Sequence, residues 1–131
     1  MDFADSGLDI PSTTVVASRK YANSHRDIVL RFLKAYIEGT RRLLTDRELG
    51  IRALQKYGGI SDREMLATTY DLFTSRYTKK IPKVNPKSVE TALNLLAEGN
   101  PKARGRKPEE FMDTSFMDEL EATGFIKSVW P

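Results

Sequence analysis

One run of β-branched residues, IPSTTVVAS, stands apart in a chain whose other apolar residues recur at helical spacing. The run opens at Ile10 and closes at Ser18, and its composition is typical of a half-buried β-strand. A strand cannot satisfy its backbone hydrogen bonds alone, and an unpaired edge attracts another strand. No clear second strand follows, so we expect this one to pair with another chain or with a short segment such as KKIPKV or GFIKSVW.

The longest helical pattern comes directly after this run, and Asn23 or Ser24 is the expected N-cap. Gly39 lies within the pattern, where glycine costs about 1 kcal/mol relative to alanine. The favoured interpretation of Gly39 is close packing against another element. The apolar residues of this helix recur at i, i+3 and i+4 and are expected to form one stripe. They are Ile28, Val29, Phe32, Leu33, Tyr36 and Ile37.

Helix-start signals mark further helices along the chain. Capping-box spacing joins Thr45 to Glu48 and Ser61 to Glu64. Residues 85 and 86, Asn-Pro, suit the start of a fourth helix, which ends near residue 99. A short last helix is expected between residues 113 and 124, where it buries Phe116, Met117 and Leu120, and an apolar tail follows it. The sequence therefore predicts a mainly α domain of residues 1–131, with about five helices and one N-terminal strand.

The composition limits the class of protein. Lys and Arg total 21 and Asp and Glu 18, a net charge of +3, which is too mild to indicate a nucleic-acid or membrane-surface partner. The chain has no cysteine, so disulfides and zinc-thiolate sites are excluded. No apolar run approaches the roughly 20 residues that span a bilayer, and the first ten residues do not resemble a signal peptide. Taken alone, the chain is expected to be cytoplasmic.

No residue pattern indicates catalysis or a cofactor. His25 is the only histidine, and a solvated surface residue is its favoured interpretation. The carboxylates at 109–110 and 118–121 read as solvated helix faces, and no phosphate-binding glycine loop is present. The densest positive run, KARGRK at 102–107, lacks an aromatic residue on which a base stacks, so a solvated loop is favoured over a nucleic-acid site. A helix-turn-helix around Gly58 is disfavoured because its second helix opens with Asp62 and Glu64.

Three segments in a fixed order carry a resemblance to a known family. They are DIPSTTVVASRKYANSHRDIVLRFLKAYIEGT, ALQKYGGISDREMLATTYD and NPKARGRKPEEFMDTSFMDELEATGFI. In order and spacing they resemble the C-terminal part of solute-binding proteins of ABC importers, in the branch of thiamine-precursor, nitrate and alkanesulfonate binders. The likeness runs from about residue 8 nearly to the end of the chain.

The resemblance implies the C-terminal part of an α/β two-lobed periplasmic-binding-protein fold of type II, lacking the N-terminal lobe. It also implies capture of a small organic or anionic solute for an ABC permease, without catalysis, by a periplasmic protein or an extracellular lipoprotein. Ser12, Thr13 and Thr14 are then the residues expected to face the ligand cleft. The alternative for their hydroxyls is bonding to the local backbone, as at many strand starts.

Two alternatives to solute binding stay open at this stage. The chain is a helical interaction module that self-associates through the strand at residues 10–18, or that strand joins the sheet of a partner. A basic nucleic-acid-binding helical domain is the less favoured alternative.

Overall fold

The computed structural model describes residues 9–11 and 13–131, and this part of the chain contains seven α-helices and no strand. A π-helical turn, Phe73–Tyr77, continues the fourth helix, and two 3-10 turns, Pro101–Ala103 and Pro108–Glu110, follow the fifth. The helices are α1 (Arg19–Ser24), α2 (Arg26–Thr45), α3 (Arg47–Gly58), α4 (Arg63–Leu72), α5 (Pro86–Gly99), α6 (Ser115–Ala122) and α7 (Phe125–Val129).

The predicted N-terminal strand is wrong, and the α/β architecture expected with it is not found in the described residues. Residues 13–18 form no ladder, and their side chains are exposed, with Val16 85% accessible. The preference of β-branched residues for strands reflects packing on a pleated surface, and this part of the chain offers no such surface. Ser18, the expected strand end, instead caps α1 by accepting a hydrogen bond from the Tyr21 N–H at 3.2 Å. The two suggested partner segments are irregular (KKIPKV) and largely helical (GFIKSVW).

Aspartates define the starts of α3 and α4. The Asp46 carboxylate accepts from the Leu49 N–H at 2.9 Å, and Asp62 accepts from the Met65 N–H at 2.8 Å. Each cap lies one residue beyond the hydroxyl expected from the capping-box spacing, because a carboxylate satisfies the free N–H groups and also interacts favourably with the helix dipole. Asn85 caps α5 as predicted, with Pro86 at its first position.

The core lies where α2 meets the last two helices. Ile37 and Leu120 are the most deeply buried side chains there, at 0% and 1% exposure. The apolar tail predicted after residue 124 is helix α7, and it closes this core. The cluster of buried residues contains Ala22, Leu33, Ile37, Phe116, Met117, Leu120, Ile126 and Val129.

Polar contacts fix α2 against α6. The Arg26 guanidinium donates two hydrogen bonds to the Glu119 carboxylate, at 3.0 and 2.7 Å, and it also donates to Ser115. The same guanidinium lies over the Phe116 ring, 4.3 Å from its centroid. This single side chain therefore joins the start of α2 to residues about 90 positions later.

A second packing site joins α2, α3 and α4. Gly50 allows the Tyr70 ring to lie directly on the α3 backbone, since a Cβ at Gly50 would overlap that ring. The Tyr70 hydroxyl donates to the Leu43 carbonyl at 2.6 Å, which ties α4 to the end of α2. Leu66, at 2% exposure, fills the space beside them.

Candidate functional site

Two of the three residues expected to face a ligand cleft can be placed, and no cleft forms around them in the described residues. Thr13 and Thr14 are exposed and lie in the irregular segment before α1, while Ser12 falls outside the described residues. The start of this segment is held by Asp9, whose carboxylate accepts from Ser88 at 2.6 Å and from Asn85 at 3.0 Å. The segment is thus anchored to the beginning of α5 and leaves Thr13 and Thr14 open to solvent.

His25 is an exposed residue at the junction of α1 and α2, as its favoured interpretation had it. Its ring stacks on Tyr21 with 4.4 Å between centroids, and its Nδ1 lies 3.0 Å from the Ser24 hydroxyl. No carboxylate contacts it among the described residues. The geometry orients the ring at a helix junction and assembles no catalytic pair.

The carboxylates that the sequence assigns to solvated helix faces take part in structural contacts. Glu119 and Glu121 pair with Arg26 and Lys83, at 2.7 Å in each case. Glu110 accepts the Lys107 N–H and binds Arg106, and these two contacts lower the pKa of its carboxyl. No cluster of side chains suited to a metal ion occurs in the part of the chain that the structure describes.

Two arginines of the basic loop at 102–107 make contacts with neighbouring parts of the chain. Arg106 binds Glu110 at 2.7 Å, and the Arg104 Nε donates to the Ala97 carbonyl at 3.3 Å. A shallow open groove beside the loop has Leu96 and Phe111 on its wall, both more than half exposed. The Arg106–Glu110 pair neutralises part of the positive charge, so the loop offers a weaker anion site than its sequence indicates.

The strongest surface feature is the outer side of α2, opposite the core. Here Ile28, Phe32 and Tyr36 are exposed at 39%, 53% and 37%. Phe32 and Tyr36 stack on each other with 6.5 Å between ring centroids. We call Ile28, Phe32, Ala35, Tyr36 and Gly39 the outer stripe. Successive helical residues lie about 100° apart, which brings these five onto one face.

Gly39 belongs to this outer stripe and not to a packed contact. A Cβ added there would meet no atom within 4 Å, so the expected close packing against Gly39 is absent from the described structure. The predicted single apolar stripe of α2 is in fact two faces. One is buried and the other is open, with a recess at Gly39.

Charged side chains border the outer stripe on one flank. Asp27 and Arg31 form an exposed ion pair at 3.0 Å, and Glu38 and Arg42 follow further along the same flank. Glu38 and Arg42 have no side-chain partner within residues 9–11 and 13–131. The stripe is therefore an apolar surface with an ordered charged edge.

A second set of exposed apolar side chains occurs at the end of α4. It consists of Leu72, Phe73 and Tyr77, and the last two rings lie 5.6 Å apart. A π-helical turn carries these aromatics, a geometry that recurs at functional positions in helices.

The chain matches no family model, no curated protein and no solved structure. No helix in the described residues is long and apolar enough to cross a membrane.

Proposed function

We propose that this chain is a helical portion of a solute-binding protein of an ABC importer. In that role it contributes to the capture of a small organic or anionic solute outside the cytoplasm and to its delivery to a permease. The proposal has two supports: the ordered resemblance of three segments, and an apolar helix face that stays partly exposed among the described residues.

The outer stripe of α2 is the observation that carries the proposal. An apolar face of this kind on a helix is normally buried against another layer of structure. The described part of the chain covers only the opposite face, so the stripe fits a role in which α2 packs between two layers. A scaffold segment of a larger binding protein has this property, whereas a complete small catalytic domain has its polar groups converging in a pocket.

The chemistry of the surface agrees with binding more than with catalysis. The groups with a lowered pKa, such as the Glu110 carboxyl, owe the shift to local hydrogen bonds within turns and not to a desolvated cleft. The Thr13 and Thr14 hydroxyls make no hydrogen bond to another residue in the described part of the chain, and they are suited to donate to an anionic or polar solute once other parts of a binding protein close over them.

Isothermal titration calorimetry tests the proposal on a longer protein that contains this chain. The probes are a thiamine pyrimidine, an alkanesulfonate and nitrate. We expect one of them to bind, and we expect Thr13→Val or Thr14→Val to weaken that binding about tenfold, since each removes one hydrogen bond. Thr68→Val, at an exposed position of α4, is the matched control and should leave the affinity unchanged. Absence of heat with all three probes and with a broad metabolite panel overturns the proposal.

A further inference from the structure

The outer stripe is complementary to itself when two copies of α2 meet in opposite directions. We infer that the 131-residue chain forms a homodimer in which the outer stripes of two α2 helices pack antiparallel. Another layer of structure over this face in a longer protein and a second copy exclude each other, so the inference concerns the chain alone and is independent of the proposed solute binding.

Size complementarity is the first argument. When the two-fold axis passes between Lys34 and Ala35, Ile28 of one copy lies level with residue 41 of the other, about 3 Å along the axis from Gly39. A Cβ at Gly39 would meet no atom of its own chain within 4 Å, so this glycine leaves space beside the Ile28 side chain of the second copy. In the same register, Phe32 lies next to Tyr36 of the second copy, which extends each stacked ring pair into a cluster of four aromatic rings.

Charge complementarity fixes the direction of the two helices. In that register, Arg31 faces Glu38 of the second copy and Asp27 faces Arg42. Because the symmetry repeats each contact, four pairs of opposite charge border the interface. A parallel arrangement would instead place the charged flanks of the two copies on opposite sides of the interface, so these pairs of opposite charge would not form.

The length of the stripe sets the strength expected of this dimer. Its twelve positions, 28 to 39, cover about 17 Å of helix axis. One helix pair of that length buries less than a standard interface, so we expect a dissociation constant on the order of 10 µM. The dimer is therefore concentration-dependent and in exchange with the monomer.

Sedimentation velocity over a concentration series measures the dimer. We expect Gly39→Leu to weaken dimerisation at least tenfold, since it places a large side chain in the contact face while its Cβ has no atom of its own chain within 4 Å. Gly99→Leu is the matched control, because it also replaces a helical glycine next to open space, and it should dimerise like the parent chain. Circular dichroism verifies that both variants keep their helices.

A charge exchange tests the register. Glu38→Arg alone weakens the dimer, and Arg31→Glu combined with Glu38→Arg restores it, because the two partners have traded places. A chain that stays monomeric at every concentration overturns the inference, and so does a Gly39→Leu variant that dimerises with the parent affinity.

Spin labels on Thr45→Cys distinguish the two directions, since the chain has no other cysteine. Antiparallel helices hold the two labels about 30 Å apart, and parallel helices bring them within about 15 Å. The shorter distance contradicts the proposed register. None of these outcomes depends on whether a solute binds, so a failed dimer and a failed solute-binding test are separate results.

Discussion

The two faces of α2 have similar composition and opposite surroundings. On the inner face Leu33 and Ile37 are buried against the last two helices, whereas on the outer stripe Ile28 and Phe32 remain open. The difference teaches that helical spacing identifies apolar positions but does not say how many of them one side of a helix can bury. Six apolar residues of α2 extend over about half of its circumference, and one neighbouring layer covers only part of that width.

The largest expected difference between the faces comes from matched isoleucines. Ile37→Ala should lower the free energy of unfolding by about 3 kcal/mol, because it removes a fully buried side chain and leaves a cavity. Ile28→Ala in the same helix should cost less than about 1 kcal/mol, since that side chain already contacts water. Urea unfolding followed by circular dichroism, at a concentration where the chain is monomeric, compares the two. Equal losses would mean that both faces are packed.

Glycines give the second comparison. Gly50→Ala should destabilise the fold by about 1–2 kcal/mol, because its Cβ would lie 2.7 Å from the Tyr70 Cδ2 and 3.1 Å from the Leu43 Cδ1. Gly39→Ala should instead stabilise it by about 0.5–1 kcal/mol through helix propensity alone. If the outer stripe is open, thermal unfolding should show a lower melting temperature for Gly50→Ala and a higher one for Gly39→Ala. A lower melting temperature for both variants would contradict that description.

Arg26 and Arg31 allow the charged contacts of the two faces to be compared. Arg26→Ala removes two hydrogen bonds to one carboxylate oxygen of Glu119 and also the stacking on Phe116. The side chains of Arg26 and Glu119 are each 42% exposed. We expect a loss of about 1 kcal/mol. Arg31→Ala removes an ion pair that is exposed on both sides, and it should cost only a few tenths of a kcal/mol. A chemical denaturation series in low and high salt measures both.

The smallest effect concerns Asp113, which lies two residues before the start of α6. A hydrogen bond from the Ser115 hydroxyl, with a further one from the Ser115 N–H, lowers the pKa of its carboxyl. A lowered pKa in the folded state adds stability that is complete above the ordinary carboxyl value of about 4 and is lost as the pH falls through the lower folded value.

Asp113→Asn should therefore reduce the acid dependence of unfolding by a few tenths of a kcal/mol, because solvent screens this exposed group. Ser115→Ala, which removes the first of the two donors, should act in the same direction. Stability measured from pH 2 to pH 7 by urea titration gives the comparison, and a steeper acid loss in Asp113→Asn would contradict the assignment.

Much of the helical arrangement was predictable because its signals are local. Asn85 and Pro86 begin α5 where expected, and the predicted burial of Phe116, Met117 and Leu120 is confirmed. Helix starts at Asp46 and Asp62 were off by one residue, since hydroxyl and carboxylate caps are adjacent in both cases. The short helix α1 was missed because its six residues offer too few positions for a helical period.

The remaining features depend on contacts that sequence spacing does not contain. The strand prediction at residues 10–18 rested on the preference of β-branched residues for strands. That preference comes from packing on a pleated sheet surface, which sequence spacing does not reveal. Thr13 and Thr14 were assigned to a ligand cleft through a resemblance. The described residues form no cleft around them, and the assignment stays a prediction. The outer stripe was visible as apolar spacing, but its openness became clear only from the width that α6 and α7 cover.

Trp130 makes this chain convenient for following the order of its folding. It is the only tryptophan, and it packs against the core formed by α2, α6 and α7 under the Lys80 side chain, with its indole N–H lacking an acceptor in the described structure. The contacts within α3 and α4 are close in sequence, whereas those that surround Trp130 join the two ends of the chain. Since closing a long loop is slower than forming neighbouring helices, tryptophan fluorescence should report the last step of folding, after the far-ultraviolet circular dichroism signal has largely formed.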